Sequence, residues 1–261
     1  MTQDRTRASY DAVAAAYAEA LSDELGGKPL DRALLAVFAE QVRDVGRGES
    51  RVWDVGCGPG HVTAFLAGLG LRAAGIDLSG EMIEQAAKRH PDLEFSTGSM
   101  TALPAVDASW DGLVSFYSLI HMIDDADVRA ALAEFRRVLA GGGLLLLAVH
   151  AGEETRHLAE WFGAEVDVSF RFFDLAWLGA ELERAGFTVE SLTRREPYPD
   201  AEVATPRAYS WPAPYNRRSQ PFRPVTATVT PTPIMARPPA PPTSSNRRGE
   251  RANQLRTALA V

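Results

Sequence analysis

A chain of 261 residues is long enough for one sizeable α/β domain with a real core. Its 46% apolar and 23% charged residues suit an ordinary water-exposed fold, and its longest strongly apolar run, Leu144 to Val149, is too short to cross a membrane. The net charge of −7 hides an asymmetry. Nine arginines against one acid (Glu250) from Val203 onward leave −15 on residues 1–202, which excludes non-specific nucleic-acid binding for that part.

A single cysteine forms no internal disulfide and fits a reducing cytoplasm. The opening "MTQDRTRASY" has no apolar segment behind its charges, so no secretion signal is expected.

Ser9 to Glu40 reads as helices: Tyr10, Val13, Tyr17 and Leu21 recur at three- and four-residue spacing, Gly26, Gly27 and Pro29 interrupt, and "LDRALLAVFAEQV" follows. Arg51 to Val55 predicts a strand ending in the turn "GCGPG", and Val62 to Leu69 a helix. Leu71 to Ile76 predicts a second strand closing on Asp77. Ser79 then caps a helix that runs to about Arg89 and stops at Pro91. Leu93 to Ser96 and Asp111 to Tyr117 read as strands. Asp125 to Leu139 is an amphipathic helix closed by Gly141 to Gly143, and "LLLLAVH" is a strand covered on both faces. Leu175 to Ala185 predicts a helix with Gly186 behind it, and Phe187 to Thr193 a further strand.

Strands alternating with helices imply a doubly wound, mainly parallel sheet, with its ligand beyond the carboxyl ends of the strands. Those ends carry Asp54 to Gly60, Asp77, Ser118 to His121 and His150. The dinucleotide pattern G-x-G-x-x-G, aligned on Gly56 and Gly58, would place its third glycine at His61, so the strict spacing fails. The pattern present is Asp54-x-Gly56-x-Gly58-x-Gly60. Asp77 ends the second strand, where an acid accepts ribose hydroxyls. Together they favour a nucleoside-bearing cofactor; NAD and S-adenosylmethionine both carry ribose.

The segments "VWDVGCGPGHVTAFLAGLG", "GIDLSGEMIEQA", "FYSLIHM" and "EFRRVLAGGGLLLLAVH" resemble, in order and spacing, the class I S-adenosylmethionine-dependent methyltransferases, particularly the bacterial small-molecule type. The resemblance runs from about Tyr10 to Arg207 and implies a Rossmann-like sheet under an N-terminal helical lid. It implies that Gly56 and Cys57 meet the methionine end of the cofactor by backbone within the turn that Gly58 and Gly60 shape. Asp54 would support the ammonium side, Asp77 would hold the ribose, and Leu78 would pack near the adenine. Ser99 stands where the family often has an acid for the adenine amino group, with Met100 beside it. Tyr117 and Ser118 would lie beside the methyl donor, and Tyr17 resembles a lid tyrosine. Cys57 is expected to serve through its backbone, not as a nucleophile.

Methyl transfer needs alignment and desolvation, and a base where the acceptor is a hydroxyl or a protonated amine. His121 and His150 are the candidates, His121 ahead; capping or packing roles account for them as well. "HAGEETRHLAEWFG" and "RFF" read as substrate cover, with His157, Trp161 and Arg171 available there or else occupied in packing and solvated helix faces. No histidine has metal-ligand spacing, so no metal is expected. The expected partner is a small-molecule acceptor, not DNA or a membrane. An NAD(P)-dependent oxidoreductase or an inactive S-adenosylmethionine-binding protein are the alternatives.

Of 17 prolines, 13 lie at or beyond Pro197. The expected division is a helical lid at 1–50, the cofactor-binding domain at 51–205 and a basic, disordered tail at 206–261. "ATPRAY" begins as the family's last antiparallel strand should, but "SWPAPYNRRSQP" follows, which makes that strand doubtful. The abrupt change reads as a frameshifted or unrelated extension after about Tyr209, or else as a native tail for an anionic partner.

Overall fold

The structure is a computed structural model that describes residues 2–45, 50–199 and 201–213. Helix α1 (Thr2–Ala20), a short 3-10 turn (Glu24–Gly27) and helix α2 (Pro29–Val45) precede the sheet. The sheet strands are β1 (Arg51–Val55), β2 (Arg72–Asp77), β3 (Glu94–Thr97), β4 (Trp110–Phe116) and β5 (Leu139–His150). Between them run α3 (His61–Gly68), α4 (Gly80–Arg89) and α5 (Asp125–Val138). A hairpin of β6 (Thr155–Trp161) and β7 (Ala164–Arg171) follows, then α6 (Leu175–Arg184), β8 (Thr188–Arg195) and β9 (Arg207–Ala213).

Seven strands form one sheet in the order β3-β2-β1-β4-β5-β9-β8. Strands β1 to β5 pair in parallel, and β9 enters antiparallel between β5 and β8. The chain leaves β1 toward β3 and returns to β4, so the switch point lies between the ends of β1 and β4, where a ligand crevice opens. The "LLLLAVH" run resolves by two-residue alternation. Leu145, Leu147 and Val149 join the core under α5 and α6, while Leu144, Leu146 and Ala148 join the core under α2 and α3.

Two expectations are corrected here. The last antiparallel strand exists: Arg207 to Ser210 pair with β5, and Arg207 to Ala213 with β8. Pro212 is tolerated because β9 pairs with β8 alone beyond Ser210, opposite a register shift between Val189 and Ser191. The sheet therefore continues past the expected boundary at 205/206, and past Tyr209. Residues 214–261, on which the rest of the tail expectation falls, lie outside the described residues. Second, the cover after β5 is a β-hairpin, so His157 and Arg171 lie on strands and not on the helix faces given as one account of them. "EVDVSFR" alternates Val166, Val168 and Phe170 inward with polar neighbours outward, and builds β7. Strand β5 also starts at Leu139, so Gly141 to Gly143 lie within it, beside an irregularity opposite Trp110 and Gly112.

Candidate functional site

The glycine turn is built around two crowded positions. Gly56 has φ +78°, and a Cβ there would lie 2.2 Å from that of Ser118. Gly60 has φ +82° and caps α3, and its Cβ would lie 2.7 Å from Phe95. The Gly56 and Cys57 amides both donate to the Ile76 carbonyl, at 2.7 and 3.0 Å. Their backbone route to a ligand is therefore through carbonyl oxygens. Ser118 sits behind the turn, its Oγ donating to the Val55 carbonyl at 2.7 Å and pairing with Ser115 Oγ at 2.6 Å. Asp54 also works from behind. It accepts from Thr63 Oγ1 at 2.8 Å, and burial pushes its carboxyl up to about 6. The buried Cys57 thiol is pushed up by burial and by Asp77 and Asp54, so it stays protonated.

Asp77 ends β2 with one oxygen accepting the Gly58 amide at 2.8 Å and the other the Ser79 amide at 2.9 Å. Each oxygen keeps a lone pair for a further donor. Burial raises this carboxyl, while the backbone amides oppose the rise. Ser79 Oγ caps α4 through Met82 N and donates to Asp11 of α1 at 2.5 Å, tying α1 to the site. Ser99 Oγ, past β3, donates to Gln3 Oε1 at 2.8 Å, with Leu78 and Met100 on the same wall.

Tyr117 follows β4 with φ +52°, a backbone conformation costly for a bulky residue. Its hydroxyl donates to Asp31 at 3.1 Å, which turns its ring face toward Lys28 and Arg207. Tyr17 of α1 meets Tyr10 and Trp161 edge to face at 5.6 and 5.2 Å. These rings form the roof, and among the described residues the buried Trp161 Nε1 has no hydrogen-bond partner.

The two histidines differ in tautomer. His121 Nδ1 lies 3.1 Å from the Ser169 carbonyl, which only accepts, so that nitrogen carries the proton. Its Nε2 then accepts from the Tyr10 hydroxyl at 2.8 Å. Burial lowers His121 to about 4. His150 Nδ1 lies 2.7 Å from Arg207 Nη1, which only donates, so His150 carries its proton on Nε2. Burial and the Arg207 charge hold it well below the ordinary histidine range. The candidacy of His150 as a base is corrected accordingly: its basic nitrogen is occupied, and it can only donate.

One cleft brings together Tyr17, Gly56, Cys57, Gly58, Asp77, Leu78, Ser99, Met100, Tyr117, Ser118, His121 and His150. Asp54 and Gly60 do not border it. His157 is half exposed on Asp167 at 3.0 Å. Arg171 bonds Ile123 O and Asp125. Both lie away from the cleft, and of that trio only Trp161 lines it. Sequence reasoning missed Gln3, Tyr10, Lys28 and Arg207, because no motif marks them; tertiary folding brings them in from α1, α2's approach and β9. The cleft encloses about 1390 Å³, its open mouth included. Among the described residues, no three His, Cys, Asp or Glu side chains gather as metal ligands, and no helix is long and apolar enough to cross a membrane.

The family profile described as methyltransferase domain matches residues 52–143. The chain is 33% identical over 152 residues to the O-methyltransferase cnsE of Penicillium expansum, covering 50% of this chain and 54% of that protein. It spans about half the length of the curated relatives it matches. In fold it resembles the putative methyltransferase of Haloferax volcanii solved with the Trm112 activator (TM-score 0.61, 20% identity, 82% of this chain and 99% of that one). It also resembles a SAM-dependent methyltransferase of Methanosarcina mazei (TM-score 0.58, 18% identity, 67% and 97%).

Proposed function

The chain belongs to the class I S-adenosylmethionine-dependent methyltransferases, and from that premise we propose that it methylates a small-molecule acceptor in the cleft between α1, the β6–β7 hairpin and the ends of β4, β5 and β9. The observation that carries this reading is the Asp77 carboxylate. It is anchored by two backbone amides, keeps a lone pair on each oxygen, and stands beside the glycine turn in the cleft.

S-adenosylmethionine, when bound, supplies a methyl group already activated on a sulfonium. The residues present fit it. Asp77 takes the ribose hydroxyls, and Leu78, Ser99 and Met100 take the base. The carbonyls of Gly56 and Cys57, under Tyr17, take the methionine end. Asp54, Gly60 and Ser118 hold the frame from behind. What remains for the protein is to orient the acceptor and exclude water, which the aromatic roof of Tyr10, Tyr17 and Trp161 is placed to do. His121 Nε2 is a weak base at neutral pH. It suits a proton that has become acidic once the acceptor atom is attacked, received directly or through Tyr10.

Calorimetric titration with S-adenosylhomocysteine and with NADH tests the cofactor, with only the first expected to bind. Release of S-adenosylhomocysteine over a panel of phenols, amines and carboxylates tests the transfer. Binding of NADH alone overturns the reading, and cofactor binding with no turnover on any panel member favours the inactive binding protein.

A further inference from the structure

We propose that the β5–β9 end of the cleft is an anion subsite, and that the acceptor carries a carboxylate held by Arg207 and His150. The inference rests on the methyltransferase reading and names the acceptor's class. Strand order sets the geometry. Residues suited to the cofactor follow β3 (Ser99), β2 (Asp77), β1 (Gly56) and β4 (Tyr117) in that spatial order. Neighbouring strands lie about 4.8 Å apart, so the ends of β5 and β9 extend the cleft by roughly 10 Å past the sulfur end of that row. His150 and Arg207 are cross-strand partners at those two ends, and both line the cleft.

The donors there are not used up. Arg207 commits Nη1 to His150, Thr205 O and Thr205 Oγ1. Its Nε is buried with no hydrogen bond among the described residues, 3.4 Å from a Glu202 oxygen. Its Nη2 makes no hydrogen bond within the described residues. The His150 Nε2–H likewise has no acceptor among them. Glu202 is already taken in two-pronged fashion by Arg195, at 2.5 and 2.8 Å. Asp31 also reaches this end of the cleft, but its oxygens accept from Arg195, Tyr209 and Tyr117. A buried arginine with open donors is costly, and a carboxylate is the ligand that fits a fork of N–H groups. The Tyr117 ring, with Arg207 5.4 Å from its centre, forms the floor.

The test titrates S-adenosylhomocysteine-loaded protein with benzoate and hexanoate, and with their uncharged partners benzamide and hexanamide. At least one carboxylate is expected to bind ten-fold or more tightly than its amide. Arg207→Gln should abolish that preference and leave S-adenosylhomocysteine affinity within two-fold, since Glu202 keeps Arg195 and Lys28. Arg207→Lys retains the charge but not the fork; it serves if the glutamine variant does not fold, and should weaken carboxylate binding several-fold with amide binding unchanged. Equal binding of acid and amide, or binding of neither while S-adenosylhomocysteine binds normally, overturns the inference alone. So does loss of S-adenosylhomocysteine affinity in a folded Arg207 variant, which would assign Arg207 to the cofactor's own carboxylate. Failure of the wild-type protein to bind S-adenosylhomocysteine overturns the functional reading and this inference with it.

Discussion

Asp77 carries two tasks at once, since the same carboxylate that faces the cleft pins the glycine turn through Gly58 and the start of α4 through Ser79. Replacing it with alanine removes the proposed ribose acceptor and orphans both amides. Each charged hydrogen bond is worth about 1.5–3 kcal/mol, so S-adenosylhomocysteine affinity should fall by roughly ten- to a hundred-fold in a calorimetric titration. Gly56→Ala forces a left-handed residue against Ser118 Cβ, so its thermal midpoint should drop by several degrees together with loss of cofactor binding. His121 sets a pH dependence. Burial takes it from 6.5 to about 4, so between those values the unfolded chain holds the extra proton. Its contribution is fully present above pH 6.5 and is lost as pH falls toward 4, at about 1.4 kcal/mol per unit. Asp54, raised from 3.8 to about 6, has the opposite sign, because between those values the folded chain holds the extra proton. His121→Phe should therefore flatten the fall in stability between pH 6.5 and 4 relative to wild type, measured by urea midpoints; an unchanged slope would contradict a neutral, buried His121.

Among the elements, β9 decides the most. It bridges β5 and β8, carries Arg207 into the cleft, and places Tyr209 and Trp211 in the core under α2. Trp211 packs edge to face on Phe38, 6.3 Å between ring centres. Trp211→Ala should cost about 3–5 kcal/mol in chemical denaturation, the range for emptying a large aromatic site. A loss below 1 kcal/mol would mean that β9 does not close the sheet. The β6–β7 hairpin is the second deciding element, because it alone carries Trp161 and Phe170 over the cleft.

For the molecule as a whole, α1 is held over the cleft by polar contacts along its length, from Gln3 on Ser99 to Tyr10 on His121. Asp11 accepts from Ser79 Oγ and from the Glu81 amide, and Ser9 Oγ accepts the Asp167 amide at 2.8 Å. The Asp11 contacts tie α1 to the start of α4 beside Asp77, and the Ser9 contact ties it to the β6–β7 hairpin. Asp11→Ala should speed release of S-adenosylhomocysteine several-fold in stopped flow while lowering stability by only about 1 kcal/mol. An unchanged release rate would mean that α1 does not gate the cofactor.

The sequence by itself determined the parallel core and its cofactor end. The glycine turn, Asp77 and the Ser79 cap are local signals, each made of residues close together in the chain and forced by backbone geometry or hydrogen-bond chemistry. Period-two alternation is equally legible in β7, where Val166, Val168 and Phe170 are spaced by two. Only the tertiary structure assembled the β5–β9 end of the cleft. His150, Arg207, Lys28 and Tyr10 stand far apart in sequence, and which nitrogen of each histidine holds its proton depends on whether a carbonyl or a guanidinium faces it. Proline-rich composition argued against β9, but the strand forms because its proline falls where pairing is one-sided and because β5 and β8 both leave an edge that β9 satisfies.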